Sequence, residues 1–420
     1  MHTLRFSLTS PPAHPGAAAF VRLAIPGIAL LLLLAPVRHA HAQAGFPGVG
    51  DEPAVNLRVY PTDFWGPRAG VGAGLGVVGH NLLRTGDQWL LTAAPARHEQ
   101  VATLSFASAS PYRAGRYVLV DSRALHTDRD WLGPPSRRLT LRRSSVMGRV
   151  RIGQTALHRH LLVQPYLTLR SDHVDAVRAP SPLPEALSRV APSIPAAPQT
   201  RTGTRVGLDL QYDTRAAASS FASGLRLRAG GARYFPLDRS ALRFDQFDVA
   251  AEGVVRLTGL HRLVAHAEVT LTRPRTSTPI PVVLLPTLGA ARIPGWARGQ
   301  FVDRDRVLGS LLYRFPIWTF GTVATIEGHV GGHLANVYRD VGDQFRPRIR
   351  VDDAASSDRG RPLRPTASVG LRLDLPIRPV SAVDLALGIG PDGVSAARVS
   401  VSRPLRALRP PHHVSDNLLF

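Results

Sequence analysis

The residues of this chain best equipped for chemistry are its histidines and arginines. His158-Arg159-His160 sets two imidazoles at i and i+2, on one face of an extended segment. Two imidazoles could begin a metal site, but no third ligand is placed nearby, so a polar strand face is the simpler reading. His412-His413 lies in a Pro-rich tail and reads as solvated. Gly70-x-Gly72-x-Gly74 has the glycines of a dinucleotide loop but no βαβ unit behind it. Any Ser/His or Asp/His group would have to be picked from dispersed residues, so no catalytic group, metal or cofactor is expected. The chain has no cysteine, which removes disulfides, thiolate ligands and a thiol nucleophile. Arginine chemistry remains. Pro279 to Pro316 runs from one β-type segment through a Gly/Arg/Pro-rich loop into Tyr313-Arg314-Phe315-Pro316. An arginine-bearing loop that folds back suits an interior holding water and carboxylates, which arginine engages by charge-assisted hydrogen bonds.

The elements that must position such a loop are strands. In RVGLDLQYD, Val206, Leu208, Leu210 and Tyr212 share one face, while Arg205, Gly207, Asp209, Gln211 and Asp213 share the other. The segments around Phe247–Leu257, Leu263–Leu271, Val369–Leu375 and Val383–Ile389 alternate in the same way. Ala69–Gly79 is a first strand with a glycine-lined face. Gln88–Ala94, Val101–Ala109, Arg116–Ser122, Leu139–Ile152 and Leu161–Arg170 follow as candidates. Fourteen to sixteen alternating segments of about ten residues, separated by turns, are the signature of a transmembrane antiparallel β-barrel, and sixteen strands are expected. A soluble β-sandwich also alternates, but it explains neither the strand number nor the small Gly and Ala residues on polar faces. Ala179–Gly203 and Asp340–Pro365 read as long loops on one rim.

Export is written at the N-terminus. Arg5 and Arg22 precede the apolar run Leu23–Ala35, and Ala40-His41-Ala42 is a small-x-small site with cleavage after Ala42. The apolar run is short for a helical span, which needs roughly 20 residues. Residues 1–42 are thus expected as signal peptide, 43–68 as a periplasmic linker, 69–405 as the barrel and 406–420 as a tail. All of the basic charge behind the net +21 is arginine. It is dispersed and often alternates, as at Arg226 and Arg228, rather than running in blocks with aromatics, so nucleic acid is not an expected partner. Luminal arginines, or contact with anionic lipid and lipopolysaccharide, fit better.

Three blocks in order resemble the bacterial surface-antigen barrels, the superfamily of the BamA-type outer-membrane insertase. Tyr212-Asp213-Thr214-Arg215, with Gly224 beyond it, is similar to the family's Asp-Thr-Arg hairpin. Gly289, then Gly295 and Trp296, then Arg298-Gly299-Gln300-Phe301-Val302-Asp303-Arg304 resembles its signature loop. Leu312-Tyr313-Arg314-Phe315-Pro316 resembles its Tyr-Arg-Phe-Pro strand. Val394–Leu405 is similar to its last strand. The chain departs where Pro294 stands in place of the loop arginine, a place that Arg292 or Arg298 could fill by geometry. The resemblance implies an outer-membrane barrel with the Gly289–Arg304 loop folded into the lumen. Asp209, Asp213, Glu252, Glu268 and Asp374 are its candidate carboxylate partners. It also implies a role in outer-membrane protein assembly or translocation, with client barrels or periplasmic accessory proteins as partners. A passive structural or pore-forming barrel is the alternative. Residues 43–68 are too short for a polypeptide-transport-associated domain, so a barrel-only member is expected. Phe420 is weighed as a terminal assembly signal.

Overall fold

The computed structural model describes residues 56–402, apart from 67–69, 81, 84–86, 109–115, 133–138, 157–159, 179–190, 196, 215–222, 290–292, 297–298, 321–323, 351–359, 375–381 and 391–392. Ala42, Arg215, Arg292, Arg298, His158, His412, His413 and Phe420 lie outside the described residues, as do the expected signal peptide and tail.

Sixteen long strands form the wall. In chain order they begin with β1 (Asn56–Gly66), β2 (Gly70–His80), β3 (Gln88–Pro95) and β4 (Glu99–Ala107). The longest follow, β5 (Arg116–Leu132), β6 (Leu139–Ala156) and β7 (Leu161–Arg178). Next come β8 (Gln199–Asp213), β9 (Gly224–Pro236), β10 (Phe244–Arg256) and β11 (Arg262–Pro274). Two short strands, β12 (Thr287–Leu288) and β13 (Phe301–Val302), belong to the loop that follows β11. The wall resumes with β14 (Asp305–Phe320) and β15 (Ala324–Tyr338). The helical turn α1 (Val341–Gln344) and the short β16 (Phe345–Ile349) then lead to β17 (Arg361–Asp374), β18 (Ala382–Gly390) and β19 (Gly393–Ser402). Each wall strand pairs antiparallel with the next, from Asn56 opposite His80 to Ala382 opposite Ser402. This is the expected sixteen-stranded transmembrane barrel.

Three boundaries differ from the sequence expectation. The segment 43–68, expected as linker, holds β1 from Asn56 onward. Its two faces, Leu57/Val59/Pro61/Asp63/Trp65 and Arg58/Tyr60/Thr62/Phe64, both mix polar with apolar residues, so no period-2 signal marks it. Gln199–Gly203, expected as loop, already belongs to β8. Within Asp340–Pro365, β16 pairs in parallel with β17, which itself starts at Arg361.

Polarity is inverted relative to a soluble protein. Val206, Leu208, Leu210, Phe247, Val249, Val369, Leu371 and Leu387 are exposed, whereas Asp209, Gln211, Arg228, Asp248, Glu268 and Glu327 are buried. Apolar side chains outside and charges inside require lipid as the outer solvent. Glycines on the inner face make room for tyrosines from neighbouring strands. Tyr117 lies over Gly153, Tyr166 over Gly207 and Tyr234 over Gly203. Gln164 donates to the Tyr117 hydroxyl at 2.8 Å.

Antiparallel order sends every second connection to the same rim. The connections 179–198, 275–304 and 339–360 share one rim, and the turns 257–261 and 321–323 belong to the other. On the outer face at the long-loop rim, Asp245 is clasped by Arg233 (2.7 Å) and Arg275 (2.6 Å), and Arg273 reaches Asp305 (2.7 Å). This belt of ion pairs bounds the apolar band on that side.

Candidate functional site

The loop between β11 and β14 is the site that the sequence singles out, and it lies inside the barrel. Its first half, Ile280 to Leu285, contains a 3-10 turn and packs into an apolar cluster. Leu132, Leu139, Leu141, Val174, Tyr234, Leu242 and Phe244 supply the other side of that cluster. These residues stand near the long-loop rim on strands β5 to β10. Arg170 donates to the Val283 carbonyl at 3.1 Å while its other nitrogen holds Asp172 at 2.6 Å.

The second half crosses to the opposite wall. β12 and β13 pair as a two-residue neck, Thr287 opposite Val302 and Leu288 opposite Phe301. Beyond the neck, Ile293, Trp296 and Phe301 pack with Leu288 against Leu308 of β14 and Ala335 and Val337 of β15. Trp296 is 1% exposed and meets Phe301 edge to face at 5.0 Å. Arg364 of β17 covers the outer side of Phe301 at 4.8 Å.

Glycine decides how close the loop tip can come. Gly295 has φ 103°, a left-handed conformation that a side chain would strain. It touches Thr366 of β17 and the Ile389 carbonyl of β18. On β18 the facing residues are also glycines. A Cβ at Gly388 would overlap the backbone of Pro294 and Gly295, and one at Gly390 would overlap the Gly295 carbonyl. Gly289 and Gly299 likewise have positive φ, at 151° and 70°. The three glycines singled out in the loop therefore shape its turns.

The loop arginines named from sequence, Arg292 and Arg298, lie outside the described residues, and the described electrostatic ties of the loop come from wall arginines. Asp303, in the loop, accepts from Arg361 of the wall at 2.9 Å, and Arg361 also donates to the Val337 carbonyl at 3.0 Å. Arg306, the second residue of β14, donates to Glu268 (2.7 Å), to Thr270 (3.0 Å) and to the loop carbonyl of Thr287 (3.0 Å). Of the carboxylates named from sequence, Glu268 thus joins the loop through Arg306. Asp213 instead stands 3.9 Å from Arg226, and Asp209 lies against Gly230 on the far wall. Glu252 faces the lumen on β10, and the Asp374 side chain lies outside the described residues. Spacing could not show this arrangement, because Arg361 is nearly 60 residues from its partner and follows a loop with no pattern.

The Tyr-Arg-Phe strand divides its residues between two solvents. Arg314 is on the luminal phase of β14. Tyr313 and Phe315 face outward, stack at 5.7 Å, and Phe315 lies across Gly328. In the short turn between β6 and β7, the exposed His160 sets Nδ1 2.9 Å from the Asp213 carbonyl. Gly224 opens β9 with φ 148°.

Neither a protein-family model nor a curated protein matches the sequence. Solved structures match the fold. BamA from Haemophilus ducreyi lacking POTRA domains 1–3 superposes with TM-score 0.55 at 13% identity, over 83% of this chain and 68% of that one. CdiB from Escherichia coli superposes with TM-score 0.51 at 10% identity, over 83% of this chain and 60% of that one. The chain thus has the fold of a BamA-type barrel.

Proposed function

We propose that this protein is an outer-membrane barrel that takes part in assembling or translocating another polypeptide. The observation that carries the reading is the seam. Registered pairing runs without a break from β1 to β19, and β1 and β19 approach each other. Among the described residues no paired register joins those two strands. The meeting of β1 and β19 is the place where an incoming segment would add by β-augmentation. The loop braces the wall next to that seam, since Gly295 rests on β17 and β18. Similarity of fold to BamA and CdiB supports the same reading, as do the three motif blocks. The partners would be client barrels or periplasmic accessory proteins, and the surroundings outer-membrane lipid and lipopolysaccharide.

The deciding experiment is depletion of the protein followed by quantitative outer-membrane proteomics. Loss of other barrels is the expected result. An unchanged proteome together with single-channel conductance in planar bilayers would establish the passive barrel instead. The placement of the loop is tested separately with a cysteine at Trp296, in a chain that has no other. Slow reaction with a bulky impermeant reagent on intact cells is expected, and rapid labelling would mean the loop is exposed.

A further inference from the structure

Six guanidinium nitrogens on the β6–β9 side of the lumen are buried without a hydrogen bond among the described residues. They are Nη1 of Arg149, Nε and Nη1 of Arg151, and Nε, Nη1 and Nη2 of Arg228. The carboxylate oxygens left over beside them are three, Oδ1 of Asp121 and both of Asp209. Arginine only donates, and buried donors in that number call for acceptors, since each unsatisfied one costs free energy. Water brings as many donors as acceptors and so cannot correct the imbalance. A tetrahedral oxyanion only accepts.

The three arginines are held differently. Arg149 of β6 donates from Nε to Thr168 at 2.8 Å, and its guanidinium lies 4.7 Å from the centre of the Tyr166 ring. Arg151, two residues along the same inner face, is anchored by Asp121. Arg228 of β9 is 4% exposed and has no such anchor among the described residues. All three act through space on Asp209 of β8, which fills the room left by Gly230. The other charges that Arg228 feels are engaged elsewhere: Glu268 by Arg306, Asp248 by Thr270 and Arg226 by Gln211. Three guanidiniums against the carboxylates of Asp121 and Asp209 leave one positive charge without a counter-ion.

We propose that Arg149, Arg151 and Arg228 form a luminal site for a tetrahedral oxyanion of the phosphate class, free or as the end of a phosphate monoester. Arg149 and Arg151 supply a fixed pair of forks, and the unanchored arm of Arg228 closes on the anion from β9. Guanidinium forks match phosphate oxygens in bidentate pairs. Asp209 is the tethered anion that balances the cluster when no ligand is bound, and an incoming oxyanion competes with it. Asp209 stands four residues from the end of β8 and Arg228 four from the start of β9, so the short-turn rim is the nearer entrance. The site stands apart from the assembly reading, since it involves neither the seam nor a client strand.

The test is equilibrium dialysis of radiolabelled inorganic phosphate against the full chain in phosphate-free maltoside micelles, at fixed ionic strength. A single ion per barrel is expected, displaced by sulfate and not by chloride. Arg228→Gln and Arg149→Gln should each weaken binding roughly tenfold, the size of one lost charge-assisted contact. Arg233→Gln, on the outer face at the rim, should leave it unchanged. Asp209→Asn should tighten it several-fold, because the competing charge is gone. Heat-modifiable mobility reports the fold of every variant, and Asp209→Asn keeps the result readable if an arginine variant fails to fold. Displacement of the label by glycerol phosphate would show that the site admits a headgroup-like monoester, and failure to displace it that the site closes round the free ion. Absence of binding, or binding without a fixed stoichiometry, overturns the proposal. So does equal affinity in Arg228→Gln and Arg233→Gln, or an Asp209→Asn variant that binds no tighter than the parent.

Discussion

Two stretches of the wall, separated by β10, solve the same problem differently. On the β11–β15 side Arg306 and Arg262 meet carboxylates directly, Glu268 and Glu327. On the β6–β9 side, Arg151 reaches Asp121 and Arg170 reaches Asp172 (2.6 Å), but Arg149 bonds to Thr168 (2.8 Å) and Arg205 to Gln246 (2.8 Å). Arg228 is buried with all three guanidinium nitrogens free of hydrogen bonds, and both Asp209 oxygens are likewise free. Asp209 feels Arg149, Arg151 and Arg228 through space. Direct pairs fix geometry, and fields do not. The β11–β15 wall is also the one on which the loop tip rests. The β6–β9 wall meets the loop through an apolar cluster and through Arg170, which is paired with Asp172 and donates to the Val283 carbonyl. Direct pairs therefore stand where the loop is bonded, at Arg306 and at Arg170, while Arg228 and Asp209 are balanced only through space.

That contrast breaks first at Arg306. Arg306→Ala removes the guanidinium that bridges the buried Glu268, Thr270 and the Thr287 carbonyl, at an expected cost of about 3–5 kcal/mol. Urea unfolding in detergent micelles would measure it, together with protease cleavage near 289–304. Replacing both partners, Arg306→Met with Glu268→Leu, is expected to recover most of the stability but not the protease resistance, because the tie to Thr287 stays lost. A single variant as stable as the parent would mean that the pair contributes nothing. A smaller loss is expected at Gly388→Ala. Its methyl group meets loop backbone, so either the loop shifts or β18 does, at about 1–3 kcal/mol. Faster labelling of a cysteine at Trp296 in that background would show the tip lifting. Unchanged labelling would show that the loop does not rest on β18.

Much of this architecture is legible in the sequence, and the illegible parts share a cause. Val206/Leu208/Leu210 against Asp209/Gln211 reads correctly because only lipid and lumen act on those residues, one on each face. β1 is missed because Pro61 and Asp63 sit on the same phase as Leu57 and Val59. The far ends of β5 and β7 are missed because luminal and rim charges such as Arg123, Asp172 and Asp175 interrupt the apolar signal. The loop glycines are visible as glycines, but Gly388 and Gly390 on the receiving strand look like ordinary strand residues until the loop is laid on them. The pairing of Asp303 with Arg361 has no local signal at all. The slip in the β14–β15 register between Pro316 and Trp318 has one in hindsight, since Phe315, Trp318 and Phe320 cannot share a face in an unbroken strand.

The β6–β9 wall supplies the milder test. In Asp209→Asn the loss of attraction to three arginines is opposed by relief from burying a charge that no hydrogen bond satisfies. A change within about 1 kcal/mol is expected from those opposing terms. A loss as large as that at Arg306 would erase the distinction between the walls.

The smallest effect lies on that same side, where a carboxylate does find direct partners. Asp238, in the turn between β9 and β10, accepts from the Ser240 amide at 3.0 Å and the Thr202 amide at 3.3 Å, with Arg201 at 3.8 Å. Partial burial works to raise its pKa, but the Ser240 and Thr202 hydrogen bonds and the Arg201 charge outweigh it, and the carboxyl is held below its ordinary value. A depressed folded value means that its contribution is complete above the unfolded Asp pKa of about 3.9 and is lost as the pH falls through the lowered value. The group is only part-buried at the rim, so solvent screening keeps the contribution small. Hydrogen exchange of the 237–243 turn, corrected for intrinsic rates, should therefore show protection that drops on going from about pH 6 to below about pH 3. Asp238→Asn should show the weaker protection at both. If the parent turn exchanges alike at the two pH values, the hydrogen bonds to Asp238 do not hold the turn. Direct contact would then fail to distinguish it from Asp209, thirty residues earlier on the same wall.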